Sequence, residues 1–135
     1  KKMNYKEIFE NCKTIAVVGM SIYPYKAAHS VPLFMQKSGY KIIPINPNHE
    51  IVAKLKSYNN ILEIEEQIDM INVFRPSEFV LDIVKEAVER KKAKGDISYI
   101  WLQEGILCEE GRELAESVGI TYIEDECIYK VFVGM

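Results

Sequence analysis

The feature that most constrains this chain is an alternation of short apolar runs with longer amphipathic segments. The first apolar run, residues 14–18, is rich in β-branched residues and has no polar face. Such a run is typical of a central strand that is covered on both sides. Four further runs have the same character, at 40–45, 70–74, 97–102 and 120–123. The pattern predicts a parallel sheet of about five strands.

The amphipathic segments between these runs predict helices. Between residues 77 and 94, apolar residues recur as pairs four positions apart and form one helical stripe. Ser77 is expected to cap this helix with its hydroxyl. Ser30 is expected to open the first major helix, because Pro32 is tolerated only in a first turn. Shorter helices are expected at 4–12 and 109–118, and segment 52–67 is interpreted as a short strand or loop followed by a short acidic helix.

Strand–helix alternation predicts right-handed crossovers and a doubly wound α/β sheet with helices on both faces. We expect a single domain over residues 1–135, because no linker or change of composition interrupts the chain. Two strand orders fit, the Rossmann half-order 3-2-1-4-5 and the flavodoxin-like order 2-1-3-4-5. We take 3-2-1-4-5 as the prediction. It places the loop after Gly19 beside the loop at Gln103.

Composition narrows the classes of function. Seventeen basic and twenty acidic residues give a net charge of −3, which argues against a nucleic-acid or anionic-membrane partner. No apolar run approaches the roughly 18–20 residues of a membrane-spanning helix, and the first residues lack the apolar core of a signal peptide. Three scattered cysteines fit neither a disulfide framework nor a zinc site. We therefore expect a reduced, cytoplasmic protein without a metal site.

The loop after the first strand has features of an anion site. Gly19 allows backbone to approach a ligand closely, and the helix that follows would direct its first amides toward an anion. Ser21 offers a hydroxyl donor and Lys26 a positive charge. The same residues also fit an ordinary strand–helix connection. The GxGxxG and Walker A patterns are absent, so this loop alone does not distinguish an anion site from an ordinary connection.

The second and third strands end in residues suited to a nucleotide. Asn46 stands where an NAD-binding protein would carry an acid for the ribose hydroxyls, which counts against NAD. Phe74 and Phe79 are placed to flank a flat base, and Arg75 to pair with a phosphate. The alternative is that Phe79 packs in the core and Arg75 is solvated.

The fourth strand and the remaining reactive residues carry weaker signals. Gln103 and the backbone near Gly105 are suited to contact polar groups of a ligand. His29 and His49 lack metal-ligand spacing and are interpreted as loop residues. Cys127 lies among acidic residues, which disfavour a reactive thiolate.

Together these segments resemble the small CoA-binding-domain family, which is related to the N-terminal domain of the succinyl-CoA synthetase alpha subunit. The resemblance runs from Lys13 to Ile128 and rests on the order and spacing of five motifs. They are AVVGMS at 16–21, GYKIIPINP at 39–47, IDMINVFR at 68–75, WLQEGI at 101–106 and DEC at 125–127.

The resemblance implies a Rossmann-like fold that binds coenzyme A or an acyl-CoA across the carboxyl ends of the strands. It implies ligand contacts in the loops after four strands. The positions are Gly19, Met20, Ser21, Ile22, Lys26 and Ser30; Asn46, Pro47 and Asn48; Phe74 and Arg75; and Leu102, Gln103 and Glu104. Two departures remove expected positive charge. Asn48 stands where a lysine is common in the family, and Glu126 where an arginine is common.

The resemblance also indicates whether this chain is expected to catalyse a reaction. The synthetase's phosphorylated histidine belongs to a second domain, so no catalytic residue is expected here. The favoured interpretation is a stand-alone module that binds coenzyme A or an acyl-CoA, with a second copy or an unidentified protein as a further partner. The alternative is a small oxidoreductase, either NAD(P)-dependent or handling CoA disulfides through Cys127.

Overall fold

The computed structural model describes residues 3–135, which form seven strands and five helices. The strands are β1 (Thr14–Val18), β2 (Lys41–Ile45), β3 (Ile51–Val52), β4 (Leu55–Lys56), β5 (Met70–Val73), β6 (Tyr99–Leu102) and β7 (Thr121–Ile123). The helices are α1 (Tyr5–Asn11), α2 (Ala27–Lys37), α3 (Val80–Lys94), α4 (Glu109–Ser117) and α5 (Ile128–Val133). Strands β3 and β4 form a small antiparallel hairpin, and the other five strands form one parallel sheet.

The strand order of the large sheet is β2-β1-β5-β6-β7. The predicted parallel α/β sheet is confirmed, but the predicted order 3-2-1-4-5 is wrong, because the third long strand lies beside the first rather than outside the second. Pro44 accounts for the edge position of β2, since a residue without an N–H is confined to edge strands. The Pro44 carbonyl accepts the N–H of Tyr58, which lies outside the sheet, at 3.0 Å. The order is the flavodoxin-like alternative.

Helices cover both faces of the sheet, as predicted. Alternate residues of β1 point to opposite sides, so Ala16 and Val18 pack with the cluster beneath α3 and α4. Ile15 and Val17 pack with the cluster beneath α1, α2 and α5. Across residues 3–135, every helix is too short or too polar to span a bilayer.

The start of α2 differs from the prediction. The helix begins at Ala27 rather than Ser30, and Pro32 lies in its second turn. Proline cannot donate to the carbonyl four residues earlier, and here the Ala28 carbonyl accepts the Ser21 N–H at 3.0 Å instead. Pro32 is therefore accommodated because the loop after β1 supplies the missing donor.

Other helix boundaries are corrected in detail. Ser77 does not cap α3, because its hydroxyl accepts the Leu107 N–H at 2.9 Å and a 3₁₀ turn at Ser77–Phe79 leads into the helix. Gly95 ends α3 in the left-handed conformation. Segment 52–67 contains part of the hairpin and a 3₁₀ turn at Ile61–Glu63 in place of an acidic α-helix. Helix α5 was not predicted.

A buried ion pair lies at the amino-terminal edge of the sheet. Arg90 is only 2% exposed and donates from Nη2 to Asp96 at 2.9 Å. Its Nη1 donates to the carbonyls of Ile61 and Ile64, and Nη2 also donates to the carbonyl of Glu66, each at 2.6 Å. We call Arg90, Asp96 and these carbonyls the amino-edge clamp. It ties the chain that leads into β5 to the end of α3.

Candidate ligand-binding site

A cavity of about 360 Å³ opens at the carboxyl ends of β1 and β2, on the side of the sheet covered by α3. Apolar side chains contribute to its lining, namely Val18, Ile45, Ile61 and Ile83. The polar lining residues are Asn46, Asn48, Asn59, Asn60, Arg75, Asp82 and Glu86, and Gly19, Pro47 and Phe79 complete the lining. This combination of size, apolar surface and a few polar groups is typical of a site for a small molecule.

Gly19 lies where the loops after β1, β2 and β5 meet. Its N–H donates to the Ile45 carbonyl at 3.0 Å, which joins the ends of β1 and β2. Its φ is +87°, and a Cβ at this position would lie 2.9 Å from Cγ of Arg75 and 3.4 Å from the carbonyl carbon of Phe74. Both the backbone conformation and the lack of space therefore require glycine here.

Asn46 holds two of these loops in place. Its Nδ2 donates to the Met20 carbonyl at 3.0 Å, and its Oδ1 accepts the Asn48 N–H at 2.9 Å. Its backbone N–H donates to the Tyr58 carbonyl at 3.0 Å. Asn46 therefore lines the cavity while its side chain fixes the shape of the cavity wall.

Among residues 3–135, Arg75 is the one cation that lines the cavity. Its guanidinium carbon lies 3.9 Å from the centroid of the Phe79 ring, a cation–π arrangement. Within residues 3–135, no carboxylate oxygen lies within 4.0 Å of Arg75 in an ion pair. The charge of Arg75 is thus held at the cavity without being neutralised by the protein.

Phe74 and Phe79 lie on different sides of the sheet. Phe74 packs against the cluster beneath α1, α2 and α5, whereas Phe79 lies on the α3 side and is 37% exposed. The two rings therefore do not flank a common space for a base. Phe79 also does not pack in the core, and its ring instead supports Arg75.

Ser21 occupies the turn between β1 and α2. Its Oγ accepts the Tyr23 N–H at 3.0 Å, and its carbonyl lies 2.7 Å from Nδ1 of His29. His29 belongs to α2 and is buried, so its interpretation as a loop residue is wrong. Among the residues that the structure describes, Oγ acts only as an acceptor, so the hydroxyl proton of Ser21 has no acceptor there.

The loop between Ser21 and α2 presents further donors. Within residues 3–135, the amides of Ile22, Ala27 and Ala28 have no hydrogen-bond acceptor. Lys26 is exposed, with its Nζ 5.5 Å from the centroid of the Tyr23 ring. Ser30 donates its hydroxyl to the Lys26 carbonyl at 3.3 Å. This loop offers amides and a cation at the same edge of the sheet as the cavity.

The residues expected after β6 lie apart from the cavity. Strand β5 separates β1 from β6, so the Gly19 and Gln103 loops are not neighbours, which corrects the placement that followed from the order 3-2-1-4-5. Gln103 is buried, and its Oε1 accepts the Ile128 N–H at 3.0 Å. Glu104 is exposed and paired with Lys130 at 3.1 Å. Leu102 is fully buried, as is Met20 in the β1 loop.

The three cysteines are free thiols that lie apart from the cavity lining. Burial, with a smaller effect of Asp69, raises the pKa of the Cys12 thiol to about 12. Cys108 accepts the Gly111 N–H at the start of α4. Cys127 is buried at the start of α5. A buried thiol at this position offers little access to a disulfide substrate.

Sequence reasoning missed the acidic side of the cavity. Asp82 and Glu86 line it from α3, and burial raises the pKa of Glu86, with further contributions from Glu89 and Asp82. The signal was present, because residues 79, 82, 83 and 86 share one face of a helix that starts at the carboxyl edge. Asn59 and Asn60, which precede the 3₁₀ turn, were missed as well.

The sequence from residue 13 to residue 132 matches the model of the CoA-binding domain family. The chain belongs to this family, and the predicted resemblance is confirmed. The uncharacterized protein YneT of Bacillus subtilis (strain 168) is 38% identical over 127 residues, which cover 94% of this chain and 90% of the relative.

Other relatives are parts of larger proteins. Acetate–CoA ligase (ADP-forming) II subunit alpha of Pyrococcus furiosus is 30% identical over 130 residues, covering 90% of this chain. The match covers only 28% of that subunit. The activity of the complete ligase is therefore a property of the relative.

Solved structures agree with the fold. The structure of cell-free ID.343 from Thermus thermophilus superposes with a TM-score of 0.89 at 28% identity, over 98% of both chains. The dinucleotide-forming acetyl-coenzyme A synthetase 1 of Ca. Korarchaeum cryptofilum, solved with phosphate and ADP, superposes with a TM-score of 0.69. It is 24% identical, and the match covers 89% of this chain and 27% of the synthetase, so this likeness concerns the fold alone.

Proposed function

We propose that this chain binds coenzyme A or an acyl-CoA at the carboxyl edge of its sheet and acts as a binding module without a reaction of its own. The single observation that carries the proposal is the cavity at the junction of the β1, β2 and β5 loops, in a chain that belongs to the CoA-binding domain family. Binding in the crevice outside the carboxyl ends of the strands is the general rule for open α/β sheets.

In this proposal the adenosine end of the ligand occupies the cavity. Pro47 and Phe79 supply flat or rigid surfaces there, and the asparagines around the rim supply amide donors and acceptors. A base needs both kinds of group, because its ring nitrogens accept and its amino group donates. The cavity volume of about 360 Å³ suits one nucleoside rather than a complete dinucleotide.

The diphosphate would lie beside Gly19, between Arg75 and the loop that leads to α2. Arg75 carries an unpaired guanidinium, and the amides of Ala27 and Ala28 are unpaired among the described residues. Arginine suits phosphate because its planar fork donates two parallel hydrogen bonds. The Ser21 hydroxyl and Lys26 supply a further donor and a further charge.

Isothermal titration calorimetry tests the proposal. The protein is titrated with coenzyme A, acetyl-CoA, ATP and NAD under identical buffer and salt conditions. Saturable binding of at least one CoA species, tighter than that of NAD, is the expected result. Absence of heat from every CoA species at sub-millimolar concentration, with a cooperative thermal transition showing that the protein is folded, contradicts the proposal.

Covalent chemistry is tested separately from binding. Incubation with CoA disulfide followed by intact-mass measurement is expected to show the same extent of CoA adduct in the unmodified chain and in a Cys127→Ser variant, because Cys127 is buried. A mixed disulfide with CoA that a Cys127→Ser variant abolishes would contradict the assignment as a binding module. It would support the oxidoreductase alternative instead.

A further inference from the structure

The charge balance of the cavity is the starting point for a more specific inference, which rests on the proposed function. Among the lining residues, Arg75 is opposed by two carboxylates, Asp82 and Glu86. Neither carboxylate forms an ion pair within the described residues. The remaining polar lining consists of neutral asparagines. A phosphate on the ribose, in addition to the diphosphate beside Gly19, would therefore face more negative than positive charge inside this cavity.

The two carboxylates already repel each other without a ligand. They lie one helical turn apart on α3, and Asp82 contributes to raising the pKa of Glu86 together with burial and Glu89. Like charges in a partly buried site interact more strongly than in water, because solvent screens them less. A ribose phosphate placed among them would add to this repulsion.

Carboxylates that line a cavity for a nucleoside are suited to accept hydrogen bonds from ribose hydroxyls. Ionised carboxylates only accept hydrogen bonds, and the 2′ and 3′ hydroxyls of an unmodified ribose donate them. In dinucleotide-binding folds, an acid near the end of the second strand performs this role. Here that strand is followed by Asn46, and the acids at the cavity come from α3 instead.

We propose that Asp82 and Glu86 determine specificity, so that the cavity prefers an adenine nucleotide whose ribose carries free 2′ and 3′ hydroxyls over one with a ribose phosphate. Coenzyme A carries a 3′-phosphate, and dephospho-CoA is identical except that it lacks this group. The pair therefore isolates the proposed preference from every other contact with the ligand.

The test compares both ligands by calorimetry on the unmodified chain and on Asp82→Asn/Glu86→Gln. The unmodified chain is expected to bind dephospho-CoA about tenfold more tightly than coenzyme A, the effect of one unfavourable charge interaction of moderate strength. The double variant is expected to bring the two affinities within about twofold, because both carboxylates become neutral amides of similar size. Glu113→Gln is the matched control, since Glu113 is an exposed carboxylate of α4 that does not line the cavity.

Each result has one meaning. Equal affinities in the unmodified chain, or tighter binding of coenzyme A, overturn the inference and leave the proposed function standing. A preference for dephospho-CoA that survives in the double variant also overturns it, because the carboxylates would not be its source. Absence of binding by both ligands overturns the proposed function itself. If the double variant fails to fold, Asp82→Asn alone is used, with a partial reduction of the preference expected.

Discussion

The two edges of the parallel sheet use charged and polar groups in opposite ways. At the amino edge, Arg90 is buried and donates to Asp96 and to three carbonyls, and Asp69 accepts the amides of Lys13 and Thr14. At the carboxyl edge, Arg75 is unpaired among the described residues and rests on Phe79. An arginine side chain is thus fully hydrogen-bonded within the protein at the amino edge, whereas at the carboxyl edge another arginine has no ion-pair partner among the described residues.

The difference has a physical origin. A buried charge must be paired and hydrogen-bonded, because an isolated ion in the interior is very unfavourable. Arg75 is only partly buried, so water solvates it until a ligand displaces that water. Unpaired groups at the carboxyl edge therefore weaken the fold little, whereas an unpaired group in the amino-edge clamp would destabilise it severely.

The largest expected effect comes from breaking the clamp. Arg90→Ala removes the cation that pairs with the buried Asp96 carboxylate, which then keeps only the Ile68 N–H as donor. It also removes one donor each from the carbonyls of Ile61 and Ile64. Removing one partner of a buried pair costs about 3–5 kcal/mol of unfolding free energy. Urea denaturation measures this loss, with Lys92→Ala, an exposed change on the same helix, as the control.

If Arg90→Ala lowers the free energy of unfolding by less than about 1 kcal/mol, the range of an exposed ion pair, the clamp does not stabilise the amino edge as described. Such a result would mean that the clamp carbonyls and Asp96 find other donors or water. The control variant is expected to change stability by less than about 0.5 kcal/mol, as surface substitutions commonly do.

A smaller effect is expected at the opposite edge, and on binding rather than on stability. Arg75→Ala removes a guanidinium from the cavity lining and is expected to weaken coenzyme A binding about tenfold, the value of one charge-assisted hydrogen bond. Calorimetry measures the affinity, and Lys85→Ala, an exposed lysine of α3 outside the lining, controls for net charge. Equal weakening in both variants would assign the effect to overall charge instead of position.

The smallest effect concerns the loop between β1 and α2. Pro32→Ala introduces an N–H that competes with the Ser21 N–H for the Ala28 carbonyl. Hydrogen exchange at the Ser21 amide is expected to become roughly fivefold faster, since a backbone hydrogen bond contributes about 1 kcal/mol. Unchanged exchange would show that Ala28 is not the anchor of this loop. Gln36→Ala, exposed in the same helix, is the control.

Most of the fold could be predicted from periodicity, because strands and helices impose different spacings on apolar residues. The five long strands and the helices on both faces were found in this way. The strand order was missed although Pro44 carried the information, since its missing N–H is compatible only with an edge. A pattern of apolar residues alone does not distinguish the two orders, because both bury the same strands.

Part of the cavity lining coincides with residues that the sequence singled out, while their role in binding stays a prediction. Gly19, Asn46, Pro47, Asn48 and Arg75 line the cavity, as a site at the carboxyl ends of strands requires. Phe74 does not face the cavity. Successive strand residues alternate between the two faces of the sheet, so Phe74 lies on the face opposite to Val73, which packs on the α3 side.

Asp82 and Glu86 were missed for a different reason. The apolar stripe of α3 predicts which face packs on the sheet, but it does not predict that polar residues at the start of the helix face the carboxyl edge. The contact between a helix and a cavity depends on where the helix begins relative to the sheet, and this position is set by tertiary packing.

Helix α3 joins the two edges, because it carries Asp82 and Glu86 near its start and Arg90 near its end. Arg90 also donates to the carbonyl of Ile61, and Ile61 is one of the residues that line the cavity. Helix α3 therefore connects two walls of the cavity through Arg90 and Ile61. In the proposed function, a ligand would meet a preorganised cavity, so little of its interaction free energy would be lost to conformational ordering.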